Sequence, residues 1–116
     1  MRKIEMKMNQ AIRSQENFKL DNTRVEVKTD YVQVFLHDNL IAELARDGTE
    51  IRLDNCGYLT VTTKSRLNAI CNEFAPPIGI YQKNFKWYVT TPSGELHWNR
   101  YGLTIKADRN HFSVFI

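Results

Sequence analysis

The sequence predicts an α+β fold of mostly antiparallel strands, with one principal helix near residues 63–75. Apolar and polar residues alternate over much of the chain, turn residues separate the alternating runs, and one stretch changes to helical spacing. The chain has 116 residues, which is enough for one hydrophobic core and too few for two ordinary domains. A single domain over residues 1–116 is therefore expected.

Alternation is clearest in the first half of the chain. Segments 24–28 and 31–36 place apolar residues two positions apart, which is typical of half-buried strands. His37-Asp38-Asn39 and Asp47-Gly48 supply turn residues between successive strands. The same criteria predict further strands at 40–44, 50–53, 58–61, 78–82, 86–91, 95–98, 103–107 and 111–116.

The helix is predicted from a change of period after Thr63. Its apolar positions fall at i, i+3, i+4 and i+7, which places them on one stripe: Leu67, Ile70, Cys71 and Phe74. Thr62 or Thr63 is the expected N-cap, and Pro76-Pro77 ends the helix because proline lacks the N–H that a helix needs. We expect Leu67, Ile70 and Phe74 to be buried.

Two features of the organisation stay open at this stage. Residues 1–16 fit a strand or a helix, and the helix, as a separate N-terminal helix or arm, is favoured. Segments 25–44 and 78–98 also share an outline of strand, turn and strand, and each is followed by a Gly/Tyr pair and a Leu-Thr step. A duplicated β unit and chance similarity both explain this outline.

Composition excludes several classes of protein. The formal charge of +3 permits an anionic partner without requiring one. Cys56 and Cys71 have neither the number nor the spacing of a disulfide framework or a zinc site. No apolar run reaches the roughly 18 residues of a membrane span. We expect a cytoplasmic protein that does not enter the membrane.

No catalytic pattern is present in the sequence. The histidines, at positions 37, 97 and 111, are scattered, and none lies beside a nucleophile. Glycine-rich phosphate loops are missing, and no His or Cys pair has metal-ligand spacing. A non-enzyme without a metal or cofactor is therefore expected.

The predicted helix begins with cations where acids are usual. Its first turn includes Thr62, Thr63, Lys64, Ser65 and Arg66, although the positive end of a helix dipole favours a negative charge. One interpretation is a phosphate site formed by free N–H groups and the two cations. The other is that Lys64 and Arg66 are solvated side chains at the surface, so that removing Arg66 barely affects folding.

A second candidate surface combines aromatic and cationic residues. Tyr81, Lys83, Trp87 and Arg100 would suit a site where an aromatic ring stacks on a base and cations contact phosphate. However, Tyr81 and Trp87 share the parity of a strand's core face, and burial in the core is the favoured explanation for them. Of the two tryptophans, Trp98 is expected to be the more exposed because it precedes a polar turn.

Three short motifs resemble those of small uncharacterised proteins of tailed bacteriophages. They are Leu-His-x-Asn-x-Ile-Ala, Thr-x-Thr-Thr-x-x-Arg-Leu-Asn-Ala and Gln-Lys-Asn/Asp-aromatic-x-Trp, found here from Leu36, Thr60 and Gln82. The similarity covers roughly residues 17–105 and departs at Asp38, where those proteins often carry glycine. The resemblance implies a phage gene expressed inside a bacterium, and it implies no particular activity.

These observations together predict a phage-encoded, non-enzymatic binding protein. The leading hypothesis is a counter-defence or host-takeover protein that sequesters a small phosphate-bearing ligand, such as a nucleotide immune signal. Because a small chain builds a closed pocket most easily between copies of itself, a homo-oligomer is expected. The alternatives are a nucleic-acid-binding protein and an inhibitor that binds a host defence protein.

Overall fold

The computed structural model describes residues 1–109 and 111–116. The helices of this part of the chain are α1 (Lys3–Ser14) and α2 (Val61–Phe74). The strands are β1 (Phe18–Leu20), β2 (Thr23–Val27), β3 (Tyr31–Leu36), β4 (Asn39–Ala45), β5 (Glu50–Asp54), β6 (Gly79–Lys83), β7 (Lys86–Thr91), β8 (Gly94–His97), β9 (Gly102–Asp108) and β10 (His111–Phe115).

The strands form two antiparallel sheets. The larger sheet has seven strands in the order β1-β2-β3-β4-β5-β9-β10, and the smaller sheet has the order β6-β7-β8. Helix α2 connects the sheets along the chain and contacts both of them, while α1 contacts β1, β2 and α2. The predicted α+β fold of mostly antiparallel strands is confirmed. Among the described residues, neither helix has the length and apolar character needed to cross a membrane.

One hydrophobic core joins the helices and both sheets. Its members alternate along the strands and lie on one stripe of each helix, as the periodicity predicted; they include Met8, Ile12, Val25, Val34, Leu53, Leu67, Ile70, Trp87, Val89 and Ile105. In β4 a bulge changes this alternation. Val34 pairs with Ala42 and Phe35 pairs with Leu40, so Ile41 is an extra residue and both Ile41 and Ala42 are buried.

Helix α2 begins slightly earlier than predicted. Its N-cap is Thr60, rather than Thr62 or Thr63, because Thr60 Oγ1 accepts a hydrogen bond of 3.1 Å from the Thr63 N–H. The predicted strand at 58–61 is wrong for the same reason, since residues 58–60 are irregular and Val61 starts the helix. Within the apolar stripe, Leu67 and Ile70 are buried as predicted, whereas Phe74 is only partly buried.

The N-terminal segment is helical, as favoured, and it is packed into the fold rather than free as an arm. Met8, Ala11 and Ile12 of α1 belong to the common core. The described residues therefore form two helices of similar length, α1 with 12 residues and α2 with 14, instead of one principal helix.

The apparent duplication extends only to three strands. Strands β2–β4 and β6–β8 each form an antiparallel meander, but the two meanders lie in different sheets. After the meanders the two segments differ, because the step at 59–61 leads into α2 while the matching step at 103–105 lies in β9. The shared outline is thus a common local motif, and the structures that follow it are different.

The hairpin between β3 and β4 places Asp38 in a left-handed backbone conformation. Leu36 pairs directly with Asn39, so the loop has two residues, and both have positive φ: 49° at His37 and 65° at Asp38. Those angles define a type I′ turn, in which aspartate is among the tolerated residues. Arg24 Nη1 also donates to Asp38 Oδ1 at 2.6 Å.

Candidate ligand-binding cleft

Arg66 is buried in the interior, and the expectation of a surface cation there is wrong. Its side chain is 3% exposed, and that of Glu5 in α1 is 2% exposed. Arg66 Nη1 donates to Glu5 Oε2 at 2.8 Å, and Ser65 Oγ donates to the same oxygen at 2.6 Å. The acid that is missing from the first turn of α2 is therefore supplied by the other helix.

Other residues of the site predicted at the start of α2 also form hydrogen bonds within the protein. Thr63 N–H is capped by Thr60 Oγ1, and Lys64 N–H donates to the Thr60 carbonyl oxygen at 3.0 Å. Lys64 Nζ donates to Gln82 Oε1 at 3.5 Å. The N–H groups and cations of residues 63–66 therefore do not converge on one open anion site in the arrangement that the sequence predicted. Thr62 lines two neighbouring clefts.

The ionisation of the Glu5 carboxylate makes the stability of the fold depend on pH. Burial alone would raise its pKa, but the hydrogen bonds from Ser65 and Arg66 outweigh burial and hold the pKa below the ordinary 4.5. Because this pKa is lower in the folded state, ionised Glu5 stabilises the fold above the unfolded-state pKa. That contribution disappears as pH falls through the folded-state pKa.

We therefore expect the free energy of unfolding to decrease below about pH 4.5. Urea denaturation at a series of pH values would measure it for the natural protein and for Glu5→Gln. The variant has no carboxyl at this position, so its stability should decrease less steeply with acid. Parallel pH profiles for the two proteins would contradict the assignment.

The four residues of the second predicted surface do not all lie together in the structure. Tyr81 stacks on Tyr88 with ring centroids 5.4 Å apart, and its hydroxyl donates to Glu95. Lys83 is exposed near the end of the β6–β7 hairpin, opposite Lys86. Tyr81 and Lys83 do not line the cleft that contains Trp87 and Arg100. The structure thus brings Trp87 and Arg100 together and leaves the other two predicted residues apart.

The cleft that contains Trp87 and Arg100 has a volume of about 300 Å³. That size lies at the lower end of the range for small-molecule sites. The cleft lies between the loop after β5, the β6–β7 hairpin and the segment that joins β8 to β9. Its lining residues are Asn55, Gly57, Leu59, Phe85, Lys86, Trp87, His97, Trp98, Asn99, Arg100 and Tyr101. We refer to it as the aromatic cleft.

Buried Asn55 connects two walls of the aromatic cleft. Asn55 Nδ2 donates to the Arg100 carbonyl oxygen at 3.1 Å, and Asn55 N–H donates to the Tyr101 carbonyl oxygen at 2.9 Å. Its Oδ1 accepts from Gly57 N–H at 2.8 Å. These bonds hold Arg100 and Tyr101 beside the 55–59 loop, so the rim of the cleft is positioned by a buried amide.

The two tryptophans form the buried wall of this cleft. Trp87 and Trp98 pack edge to face with ring centroids 5.7 Å apart. The backbone N–H of Trp98 donates to the backbone carbonyl oxygen of Trp87 at 2.9 Å. Trp98 is 3% exposed, against 1% for Trp87, so Trp98 is the more exposed of the two, as expected, although both side chains are buried. Neither indole nitrogen has a hydrogen-bond partner among the described residues.

The electrostatics of the aromatic cleft favour an anion. Lys86 and Arg100 lie on its rim, and none of its lining residues is Asp or Glu. The exposed amide of Asn99 adds further hydrogen-bond donors to the lining. A ligand with acceptor atoms and a negative charge would therefore find complementary groups.

Phe85 occupies an unusual position at the mouth of the cleft. It is 93% exposed, and its φ of 63° lies in the left-handed region that bulky side chains avoid. With Asn84 at φ 52°, it forms the two-residue turn of the β6–β7 hairpin. Neither stability nor burial explains a phenylalanine there, but contact with a ligand would.

The substitution Phe85→Gly tests this interpretation of the turn. Glycine relieves the left-handed strain and creates the favoured Asn-Gly turn, partly offset by its greater freedom in the unfolded chain. We expect the free energy of unfolding to rise by about 0.5 to 1 kcal/mol in thermal or urea denaturation. A marked loss of stability would show that Phe85 packs against the protein after all.

Several lining residues were not expected from the sequence. Leu59 was assigned to a strand at 58–61 and Trp98 to the end of a strand at 95–98, and neither was placed at a site. The sequence feature that could have located part of this cleft is Asn84-Phe85. An Asn between two strands often starts a type I′ turn, which places the next side chain at the tip of the hairpin.

Fold and cleft together define a small, β-rich α+β protein that has an aromatic cleft with a cationic rim. The family model of the Kyanoviridae Gp96 protein matches residues 1–106, and the chain belongs to this family of phage proteins. The phage origin implied by the three sequence motifs is thereby confirmed at the level of the family. No curated protein and no solved structure matches the chain.

Proposed function

We propose that this phage protein is a non-enzymatic binding protein that holds a small ligand with a planar ring and an anionic group, such as a nucleotide, in the aromatic cleft. One observation carries the proposal: Phe85 and Tyr101 expose their rings at the cleft beside the cations Lys86 and Arg100, and the lining has no carboxylate. Exposed aromatic rings beside cations suit a ligand that combines a flat ring with a negative charge.

A nucleotide has the features that the cleft complements. Its base provides a flat face for Phe85 or Tyr101, while its phosphate suits Lys86 and Arg100. The lining has neither a carboxylate nor a Ser or Cys nucleophile. This composition supports binding rather than catalysis.

In an infected bacterium, such a protein would act in the host cytoplasm by sequestering the nucleotide, either as counter-defence or during host takeover. Leu59, Phe85 and Tyr101 are exposed around the mouth of the cleft. A second copy that covers this mouth would bury them together with the ligand, so we include a homo-oligomer in the proposal. Sedimentation with and without ligand would measure this assembly.

Two measurements test the proposed function. Mass spectrometry of small molecules extracted from protein purified out of infected cells should recover a nucleotide. Calorimetric titration should then show binding that Arg100→Gln weakens by about 10- to 100-fold, because a charge-assisted hydrogen bond is lost. The matched control is Arg13→Gln, which removes an equally charged side chain that is 57% exposed on α1.

The outcomes separate the hypotheses. Equal affinities for Arg100→Gln, Arg13→Gln and the natural protein would remove the aromatic cleft as the site. Binding of single-stranded oligonucleotides with steep salt dependence, in place of free nucleotides, would favour the nucleic-acid alternative.

A further inference from the structure

A second cleft lies between the first turns of the two helices. Its volume is about 490 Å³, and α1, the β1–β2 turn and α2 all contribute to its lining. The cationic side chains of this lining are those of Arg2, Lys3, Lys7 and Arg66, whereas Asp21 is its single acid. We refer to it as the basic cleft.

Three of these cations have no acidic partner within the part of the chain that the structure describes. Arg2, Lys3 and Lys7 are exposed, and none of them forms a salt bridge there. Lys3 and Lys7 are four residues apart on α1, so their side chains project from the same face of the helix. The lining therefore concentrates positive charge that the protein does not neutralise.

Arg66 contributes a buried and only partly satisfied guanidinium. It has five N–H donors, and three hydrogen bonds account for its protein partners: Nη1 to Glu5, Nε to Thr23 Oγ1 at 3.0 Å, and Nη2 to Asn22 Oδ1 at 3.2 Å. Two N–H groups consequently lack an acceptor among the described residues. They belong to a nine-tenths-buried side chain that lines the cleft.

We propose that the basic cleft is an anion site that binds phosphate groups. Phosphate oxygens accept several hydrogen bonds at once and match both the fork of a guanidinium and the point charges of lysines. Glu5 holds Arg66 in place, so this cation is already ordered before a ligand arrives. The site does not depend on the proposed nucleotide cleft, since no residue lines both.

Tripolyphosphate is a suitable probe because it carries the phosphate chemistry without a base. Titrated into the intact, isotope-labelled protein, it should shift the amide resonances of residues 2–7 and 62–66 in a saturable way. The variant Lys3→Gln/Lys7→Gln should raise the Kd by about tenfold or more, because two charged contacts are lost. The control Lys28→Gln/Lys106→Gln removes the same charge elsewhere and should leave the Kd unchanged.

The source of the phosphate is decided by a second titration, with a single-stranded DNA oligonucleotide. Tighter binding of the oligonucleotide at the same amides would assign the site to a nucleic-acid backbone, and tighter binding of tripolyphosphate to a small oligophosphate. The proposal is overturned if those amides do not shift, or if the control variant weakens binding equally. Arg100→Gln should leave both titrations unchanged, so failure here is distinct from failure of the aromatic cleft.

Discussion

Glu5→Ala is expected to lower the free energy of unfolding by about 3 to 5 kcal/mol, as urea denaturation would measure. The substitution leaves the Arg66 guanidinium charged, buried and without its carboxylate partner, and it also removes the acceptor of Ser65 Oγ. Removing one member of a buried ion pair costs more than the pair itself contributes, because the other charge stays desolvated.

Two comparisons identify the cause of that loss. Glu16→Ala removes an exposed carboxylate just beyond α1 and should change stability by less than about 0.5 kcal/mol. The double substitution Glu5→Leu/Arg66→Met removes both charges and should be less destabilising than Glu5→Ala alone. If Glu5→Ala and Glu16→Ala have the same stability, the pair is not buried as described.

Trp98→Ala is expected to lower the free energy of unfolding by about 3 to 5 kcal/mol. The indole is almost fully buried and packs edge to face on Trp87, so its removal takes away a large apolar contact and leaves a cavity. Phe85→Ala is the control, because that ring is exposed and its loss should cost far less.

Fluorescence quenching gives an independent check on the same assignment. In Trp87→Phe and Trp98→Phe variants, which retain one tryptophan each, a soluble quencher should reach neither indole readily. Ready quenching of Trp98, together with a small effect of Trp98→Ala, would contradict its burial.

The spacing of apolar residues predicted those strands and helices in which one face is buried along the whole element. Strand β3 alternates strictly because one face is buried, and Leu67 and Ile70 in α2 follow the helical stripe because one face meets the core. Short-range patterns of this kind carry the information for most of the strands and for both helices. They fail at 58–61, where a single capping hydroxyl decides between an extended and a helical chain.

The errors concern side chains whose environment depends on distant residues. Arg66 lies on a helix face that the sequence marks as polar, and only its contact with Glu5, 61 positions earlier, makes burial favourable. Trp98 precedes a polar turn, yet Trp87 on the neighbouring strand covers it. Of the aromatic cleft, Trp87 and Arg100 were predicted, whereas the role of Asn55 depends on tertiary contacts that no local pattern reveals.

The ion pair between α1 and α2 also has a consequence for the order of folding. During synthesis Glu5 leaves the ribosome well before Arg66, because 61 positions separate them. In the interval α1 has its own local hydrogen bonds but lacks the partner that neutralises its buried acid, and a helix of 12 residues is marginal by itself. Helix α1 is therefore expected to become stable only after α2 has emerged, although α1 is translated long before it.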